Sequence, residues 1–406
     1  MSIALRPIAP DEFEAFARAN ATGFSADVNL EGLEQTRDYF EFDRSLVALE
    51  GEEMAGTTAI FSFDLTVPGG ALPTAGVTWV SVKPTHRRRG VLSQMMRRQL
   101  SDVRERGEPI AALWASESVI YGRFGYGLAA DAVSLTIDRA HAALAQQEAS
   151  CGRCRFVTRD EALAAWPAVY GRVLREHPGM YSRSQAWWQK KSLREHDRAP
   201  PGLSPRFCVQ YEEDGEVQGY ASYRVRGDSR DGVPNGTLYV RELMAASDAA
   251  YAALWRFLFG VDLVAIIEAN LRRVDEPLRW MLADPRRLSR RPSDSLWVRL
   301  VDVPAALAGR RYAAEGRVVF DVRDGVCSWN AGRYELEAGP EGAVCHPTTD
   351  DAGITLDVAD LGAVYLGGAR LQTLRRAGRV EGDDTALRLA DAMFAWEPLP
   401  WCPEVF

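Results

Sequence analysis

Three consecutive arginines and a glycine, Arg87–Gly90, stand between an apolar stretch ending at Val82 and an amphipathic segment running from Val91 to about Arg106. Backbone amides at a helix N-terminus, together with the helix dipole, favour the binding of a phosphate group. Gly90 lets the backbone approach such a ligand closely, and the arginines add charge and bidentate donors. The segment is predicted to bind phosphate. The alternative is a solvated arginine run that caps the helix.

Cysteine and histidine do not show the spacing of a metal site. Cys151 and Cys154 form a C-x-x-C pair, but no second pair or nearby histidine completes the roughly four ligands that zinc requires. Six cysteines in 406 residues do not indicate a disulfide framework either. We therefore expect free thiols and no metal.

Composition and charge exclude several classes of protein. A length of 406 residues predicts two or three domains, and 47% hydrophobic with 26% charged residues is typical of a globular chain. The net charge of −8 argues against nucleic-acid binding, which relies on a basic face. The longest uncharged run, Leu65–Val82, is interrupted by prolines and glycines, so it predicts a loop and a strand rather than a membrane span. We expect no signal peptide, no membrane span and a cytoplasmic protein.

The elements around the arginines alternate between strand and helix. Strands are predicted at 45–50, 54–63, 76–82 and 110–114, and a short helix at 119–124 ends in Gly125. Residues 138–155 lack a buried pattern, a second α/β alternation follows over 156–297, and short strands begin near Leu300. The predicted domains are 1–150, 151–297 and 298–406.

Two blocks resemble the GNAT superfamily of N-acetyltransferases. Arg87–Gly90, after a strand, resembles the acyl-CoA loop Gln/Arg-x-x-Gly-x-Gly/Ala, although Leu92 replaces the last small residue. Roughly thirty residues further on, Ser116–Tyr126 resembles the next block, in which a tyrosine precedes Phe-Gly. No such loop followed by a helix occurs in 156–297.

The resemblance narrows to the Eis (enhanced intracellular survival) family and covers essentially the whole chain. It is carried by Pro84–Gly90 together with Ile120–Gly127, and Leu356–Gly368 looks like a sterol-carrier segment. The resemblance implies an α/β protein with tandem GNAT folds, the second without a cofactor loop, followed by a sterol-carrier-like α+β domain. It also implies a hexamer that uses acetyl-CoA and acetylates polyamines or aminoglycosides, an activity linked to antibiotic resistance.

The same resemblance assigns residues to the site. The expected acetyl-CoA contacts are Val80, Ser81, Val82, Arg88, Arg89, Gly90, Val91, Leu92, Ser93, Ser116 and Glu117. The Val82 N–H is expected to hold the thioester oxygen. Tyr121 is the expected proton donor, since a phenol with a pKa near ~10 stays protonated at neutral pH. Tyr126 is the rival, interpreted as a packing residue. The C-terminal carboxylate of Phe406 is the expected proton acceptor, unless the tail is frayed.

The acceptor is the least defined part of the prediction. Its ammonium groups need carboxylates and aromatic faces, which a set of seven residues could supply: Asp27, Glu31, Glu34, Tyr39, Phe40, Glu41 and Glu404. Two other functions stay open at this point. One is a protein-lysine acetyltransferase with the same chemistry, and the other is a non-enzymatic carrier of an apolar ligand.

Overall fold

The computed structural model describes residues 3–146, 152–194 and 202–406. The predicted domain boundary between residues 150 and 151 lies outside the described residues, as does Cys151 of the C-x-x-C pair. Cys154, the other member of that pair, is a free thiol.

The N-terminal segment alternates strands and helices in the predicted order. Its strands are β1 (Ala4–Arg6), β2 (Leu46–Glu50), β3 (Glu53–Val67), β4 (Gly70–Val82), β5 (Ile110–Trp114) and β6 (Gly127–Asp138). Its helices are α1 (Phe13–Gly23), α2 (Leu30–Arg37), α3 (Val91–Glu105) and α4 (Ser118–Tyr121). The predicted strand 110–114 and the predicted helix starting at Val91 are confirmed.

The uncharged run Leu65–Val82 is a hairpin rather than a loop and a strand. β3 continues through Leu65 and pairs antiparallel with β4, and the chain reverses at Pro68 and Gly69. The predicted loop is therefore wrong. Pro73 is tolerated in β4 because it lies one residue before β4 begins to pair with β5, where one side of the strand is still an edge.

The middle of the chain repeats this strand-and-helix pattern. Its strands are β7 (Arg153–Phe156), β8 (Phe207–Glu213), β9 (Glu216–Arg226), β10 (Ser229–Arg230), β11 (Val233–Pro234), β12 (Gly236–Ala245), β13 (Val264–Arg272) and β14 (Ser289–Leu300). Its helices are α5 (Arg159–Glu176), α6 (Gln185–Trp187), α7 (Asp248–Phe259) and α8 (Leu278–Met281). The Thr158 and Glu161 side chains form a capping box that fixes the start of α5.

The C-terminal segment is a mixed α and β structure, as predicted. Its strands are β15 (Gly316–Arg323), β16 (Gly332–Gly339), β17 (Gly342–Pro347), β18 (Ile354–Asp357) and β19 (Val380–Gly382). Its helices are α9 (Val303–Ala308), α10 (Val358–Val364), α11 (Leu371–Arg376) and α12 (Asp384–Phe394). The five strands form one sheet in the order β17-β16-β15-β18-β19.

The chain forms two compact units, each discontinuous in sequence. The first comprises the residues up to Ala130, Ser295–Pro400 and Val405–Phe406; the second comprises Asp131–Asp294 and Trp401–Glu404. In the first unit β1-β2-β3-β4-β5 are neighbours, and β14 adds antiparallel to β5. In the second unit the order is β6-β13-β12-β9-β8-β7. In each unit one strand–helix–strand crossover joins a parallel pair, β4 with β5 and β12 with β13.

A buried ion pair ties the beginning of β2 to the link between α3 and β5. Nη1 and Nη2 of Arg44 donate hydrogen bonds to the carboxylate of Glu108, and Nη1 also donates to the Ser62 hydroxyl at 2.6 Å. The side chains are only 2% and 10% exposed. Removing one member of such a pair leaves the other charge buried and uncompensated.

Glu108→Gln is therefore expected to lower the free energy of unfolding by about 3 kcal/mol, measured by urea denaturation followed by tryptophan fluorescence. Asp102→Asn makes the same chemical change in an exposed pair with Arg98 and is expected to cost less than about 0.5 kcal/mol. Equal losses in the two variants would contradict the buried-pair argument.

Candidate active site

The site is built where two parallel strands separate. The last pair between β4 and β5 joins Val77 to Leu113, although β4 continues to Val82. Beyond Val77 one edge of β4 faces a cleft of about 470 Å³ instead of a neighbouring strand. This β4–β5 cleft is lined by Gly23, Phe24, Val80, Ser81, Val82, His86, Arg87, Arg88, Gly90, Val91, Leu92, Ser93, Ser116, Glu117, Ile120, Tyr121 and Arg123.

A bulge in β4 turns the backbone at the cleft. The register with β3 shifts between Thr57 and Ala59, and Trp79 has a φ of 54°, which is rare for a bulky residue. The Trp79 carbonyl accepts hydrogen bonds from the Asn20 side-chain amide and the Thr57 hydroxyl, both at 2.8 Å. These two side chains hold the strained conformation in place. Neither was found from the sequence, because no local pattern shows a bulge.

The arginine turn lines the cleft at the start of α3. Gly90 has a φ of 79° and immediately precedes α3, and a Cβ there would meet nothing within 4 Å. The backbone angle therefore favours glycine, and the space beside it is open to a ligand. No described side chain caps the first turn of α3, so its amides remain available to an anion.

The three arginines have different partners. Arg87 donates to the carbonyls of Val82 at 3.1 Å and Gly23 at 2.6 Å, so it braces the turn. Arg89 forms a bidentate pair with Glu50 and holds the pKa of that carboxyl below its ordinary value. Arg88, with a φ of 62°, lines the cleft and forms no ion pair with the described residues.

Arg89 and His86, two residues near the turn, are both held by the Glu50 carboxylate. Arg89 is the only expected acetyl-CoA contact that is absent from the cleft lining given above. His86, expected to be structural, is buried between the Glu50 carboxylate at 3.1 Å and the Thr85 hydroxyl at 2.8 Å. Among the arginines, the geometry favours Arg88 for an incoming diphosphate.

The opposite wall follows β5. Ser116, Glu117 and Tyr121 all line the cleft, and Tyr121 is only 4% exposed. Burial raises the pKa of Tyr121, and a hydrogen bond with Ser116 partly opposes that rise. The Tyr126 ring contacts the Tyr121 ring with centroids 6.2 Å apart, but Tyr126 does not line the cleft. Its hydroxyl is buried without a hydrogen-bond partner among the described residues, which agrees with a packing role.

The end of the chain is bound, not frayed. Within the first unit, the Thr78 hydroxyl donates to a main-chain oxygen of Phe406 at 3.2 Å, and the Phe406 ring contacts Phe63 edge-on at 5.1 Å. Within the second unit, the Glu404 carboxylate forms an ion pair with Nε of Arg183 at 3.0 Å and accepts a hydrogen bond from the Trp187 indole, also at 3.0 Å.

The seven candidate acceptor residues do not form one acidic surface. Phe40 is buried among aromatic rings, including those of Phe13 and Trp79. Glu404 is neutralised by Arg183, and Glu41 bonds the backbone and hydroxyl of Ser62. These three side chains are therefore already engaged within the protein, and their expected part in binding a cation stays a prediction. Glu34 pairs with Arg37 at 3.7 Å and Tyr39 is half-buried, whereas Asp27 and Glu31 are exposed acids. Phe24 is 52% exposed and lines the cleft, but the sequence analysis did not predict it as a site residue.

The described part of the chain contains neither a cluster of metal-ligating side chains nor a helix suited to cross a membrane. Within it, no three side chains of histidine, cysteine, aspartate or glutamate come together as metal ligands. No helix there combines the length and apolar character needed to cross a membrane.

Family comparisons agree with the predicted order of domains. Residues 4–129 and 179–300 match family models described as acetyltransferase (GNAT) domains, and residues 303–403 match a sterol carrier protein domain. These matches confirm the predicted fold class of two acetyltransferase domains followed by a sterol-carrier-like domain.

Similar proteins extend over nearly the whole chain. An uncharacterized N-acetyltransferase of Streptomyces avermitilis is 45% identical over 90% of both chains. The N-acetyltransferase Eis of Mycobacterium tuberculosis is 35% identical over 97% of both chains. The crystal structure of Eis1 from Mycobacterium abscessus superposes with a TM-score of 0.86, at 33% identity, over 99% of this chain and 100% of that one.

Arg88→Ala is expected to raise the Kd for acetyl-CoA by about 10- to 100-fold, because a charge-assisted bond to phosphate contributes about 1.5–3 kcal/mol. Isothermal titration calorimetry measures the change. Arg88→Gly removes the same charge while accommodating the positive φ, and it should weaken binding equally.

Arg89→Ala is the matched control, since Glu50 already neutralises that charge, and its expected effect is below about threefold. A larger loss from Arg89→Ala than from Arg88→Ala would reverse the assignment of the two arginines.

Proposed function

The chain belongs to the Eis family of GNAT N-acetyltransferases, and on that premise we propose that it moves the acetyl group of acetyl-CoA directly to an amine of a polycationic acceptor such as an aminoglycoside. One observation carries the proposal. The unpaired edge of β4 beyond Val77, the uncapped start of α3 with Arg88, and Tyr121 all line the same cleft. These are a thioester-binding strand edge, a phosphate site and an acid.

Each part of acetyl-CoA has a matching part of the cleft. The diphosphate is assigned to the amides after Gly90 and to Arg88, with Val91, Leu92 and Ser93 in the first turn of α3. Pantetheine is assigned to Val80 and Ser81 on one wall and to Ser116 and Glu117 on the other. The amide of Val82 is assigned to the thioester oxygen, where charge develops during attack. Arg89 takes part indirectly, by keeping Glu50 beside the turn.

Tyr121 supplies the proton for the leaving group. When the acceptor nitrogen attacks the carbonyl carbon, the C–S bond breaks and its electrons leave on sulfur. The phenol donates its proton to that thiolate. Burial raises the pKa of Tyr121, so the proton is lost only when the pH has passed the ordinary phenol range near ~10.

The terminal carboxylate of Phe406 receives the proton that the attacking nitrogen loses. A free α-carboxylate, with a pKa near ~3.5, is a weak base in water, and apolar surroundings favour its protonated form. The Thr78 hydroxyl beside Phe406 lies one residue from the bulge at Trp79. This placement near the strand edge supports the assignment.

Several further properties are proposed because the chain belongs to this family. They are the domain boundaries at residues 150 and 297, a hexamer, a cytoplasmic location with acetyl-CoA at hand, and a part in aminoglycoside resistance. The net charge of −8 supports a cationic acceptor, since it steers ammonium groups toward the protein. Among the candidate acceptor residues, exposed Asp27 and Glu31 are the acids assigned to it.

Tyr121→Phe is expected to lower kcat by at least about tenfold, because the thiolate then departs without a proton donor. The assay follows free-thiol release from acetyl-CoA with a panel of aminoglycosides. Tyr126→Phe is the control and should stay within about threefold, since its hydroxyl lies outside the cleft. Unchanged release by Tyr121→Phe would move the acid role elsewhere, and no release with any small amine would favour a protein lysine as the acceptor.

Extending the chain by a C-terminal hexahistidine tag is expected to lower kcat by at least about tenfold, because it converts the Phe406 carboxylate into an amide. The same tag at the N-terminus is the control. Thermal denaturation of both proteins checks that the fold is kept. Full activity of the C-terminally tagged enzyme would exclude the terminal carboxylate as base.

A further inference from the structure

The end of β14 and the C-terminal segment pack together behind the turn that carries Tyr121. A Cβ on Gly125 would lie 2.4 Å from Nη1 of Arg299 and 2.8 Å from Val358. A Cβ on Gly127 would lie 1.8 Å from the carbonyl oxygen of Ala359 in α10. Only glycines permit this approach. The two glycines of the Phe-Gly-Tyr-Gly sequence after Tyr121 therefore leave space for Arg299 and for the start of α10.

Arg299 is the charged centre of that contact. It lies in β14 with no exposed surface, and its Nη2 donates to Oδ2 of Asp324 at 2.6 Å. The other oxygen of Asp324 accepts the amides of Val326 at 3.0 Å and Cys327 at 2.9 Å. Asp324 is thus held by its own loop, and it holds Arg299 in one position.

The rest of the Arg299 guanidinium lies beside the turn at Gly125 and beside the Cys327 thiol. Nε and Nη1 make no hydrogen bond with a nitrogen or oxygen of the described residues, although both are buried. Nη1 is the atom nearest to the position that a Cβ on Gly125 would occupy. The Cys327 thiol, a weak acceptor, is a further partner of this guanidinium, so its donors are only partly satisfied. A buried charge with weakly satisfied donors is costly and calls for an explanation beyond stability.

The turn needs support from outside itself. Tyr121 ends a helix of only four residues, followed by the three-residue 3₁₀ turn Gly122–Phe124. Helical pieces this short do not hold their own geometry in water. Gly125 has a φ of 84°, and the Tyr126 amide donates back to the Tyr121 carbonyl at 3.3 Å. A displacement at Gly125 is therefore passed on to Tyr121 within one turn of chain.

We propose that Arg299, fixed by Asp324, is a positioning residue that sets the Tyr121 hydroxyl in the cleft, so that the sterol-carrier-like segment supports the catalytic acid. This inference rests on the proposed role of Tyr121. It gives the C-terminal segment a part in acetyl transfer that requires no lipid.

A double-mutant cycle tests the proposal. The variant Arg299→Met/Asp324→Leu removes both charges together, so neither is left buried alone. In the wild-type background its kcat is expected to fall about tenfold, while KM for acetyl-CoA stays within about twofold. In the Tyr121→Phe background the same pair is expected to change kcat by less than about twofold, because a residue that acts through the phenol has no further effect once the phenol is gone.

Asp324→Asn is a milder variant that tests the proposal if the double variant Arg299→Met/Asp324→Leu does not fold. Asp324→Asn keeps an oxygen for the Val326 and Cys327 amides but loses the charge that holds Arg299, and kcat should fall about threefold with KM unchanged. Asp324→Asn with wild-type kcat would overturn the proposal.

Arg310→Met is the matched control. Arg310 is also a fully buried arginine of the first unit, but it donates to the carbonyls of Arg311, Tyr365 and Phe394. Its loss should lower Tm and leave kcat per folded enzyme unchanged. Equal losses of kcat in Arg310→Met and the Arg299 pair would show a structural effect only and overturn the proposal.

The cycle separates two kinds of failure. If Tyr121→Phe has a lowered but measurable kcat and the Arg299 pair lowers kcat equally in both backgrounds, the positioning role is wrong and the acid role stands. If Tyr121→Phe keeps wild-type kcat, the acid role itself is wrong, and the inference falls with it.

Discussion

The separation of β4 from β5 is the constraint on which the rest of the site depends. Two parallel strands that stayed paired to their ends would leave no room between them for a ligand. Here pairing stops at Val77 and Leu113, and the bulge at Trp79 turns β4 away. A tryptophan with a φ of 54° is strained by about 1–3 kcal/mol. The hydrogen bonds from Asn20 and Thr57 offset that strain, so α1 and β3 keep the cleft open.

The second unit contains the same strand–helix–strand crossover, but protein groups occupy its strand edge and its helix start. The comparison indicates which features of the first unit suit a cofactor. The last pair of β12 and β13 is Val240 with Ala269. Beyond it, Arg272 donates to the Leu243 carbonyl, and Trp401 donates to the Leu271 carbonyl, so protein side chains take up strand-edge acceptors. The helix that follows β12 is capped by its own Ser247 hydroxyl, whereas α3 begins at uncapped Gly90. A capped helix start has fewer amides to offer to a phosphate.

Features that depend on consecutive residues could be predicted from the sequence, whereas features formed by residues far apart in the chain could not. The arginine turn, the helix after it and the strand 110–114 depend on local periodicity, and they lie where the sequence places them. The pairing of Arg89 with Glu50 joins positions 39 apart in the chain, so the sequence could not show which arginine is free. The neutralisation of Glu404 by Arg183 spans still more of the chain. The prolines and glycines of 65–82 suggested a loop, because single-sequence reasoning does not see the partner strand of a hairpin.

An ordered chain end is itself evidence that the last residues have a task. Fixing one backbone residue costs about 1–2 kcal/mol in conformational entropy, and terminal residues usually avoid that cost by fraying. Here the Trp401 amide donates to the Pro178 carbonyl, Glu404 is clamped by Arg183, and Phe406 contacts Thr78. A tail that served only to fill space would not need its terminal residue against a strand of the site. The contacts of Phe406 with Thr78 and Phe63 fix this part of the tail against β4 and β3 of the first unit.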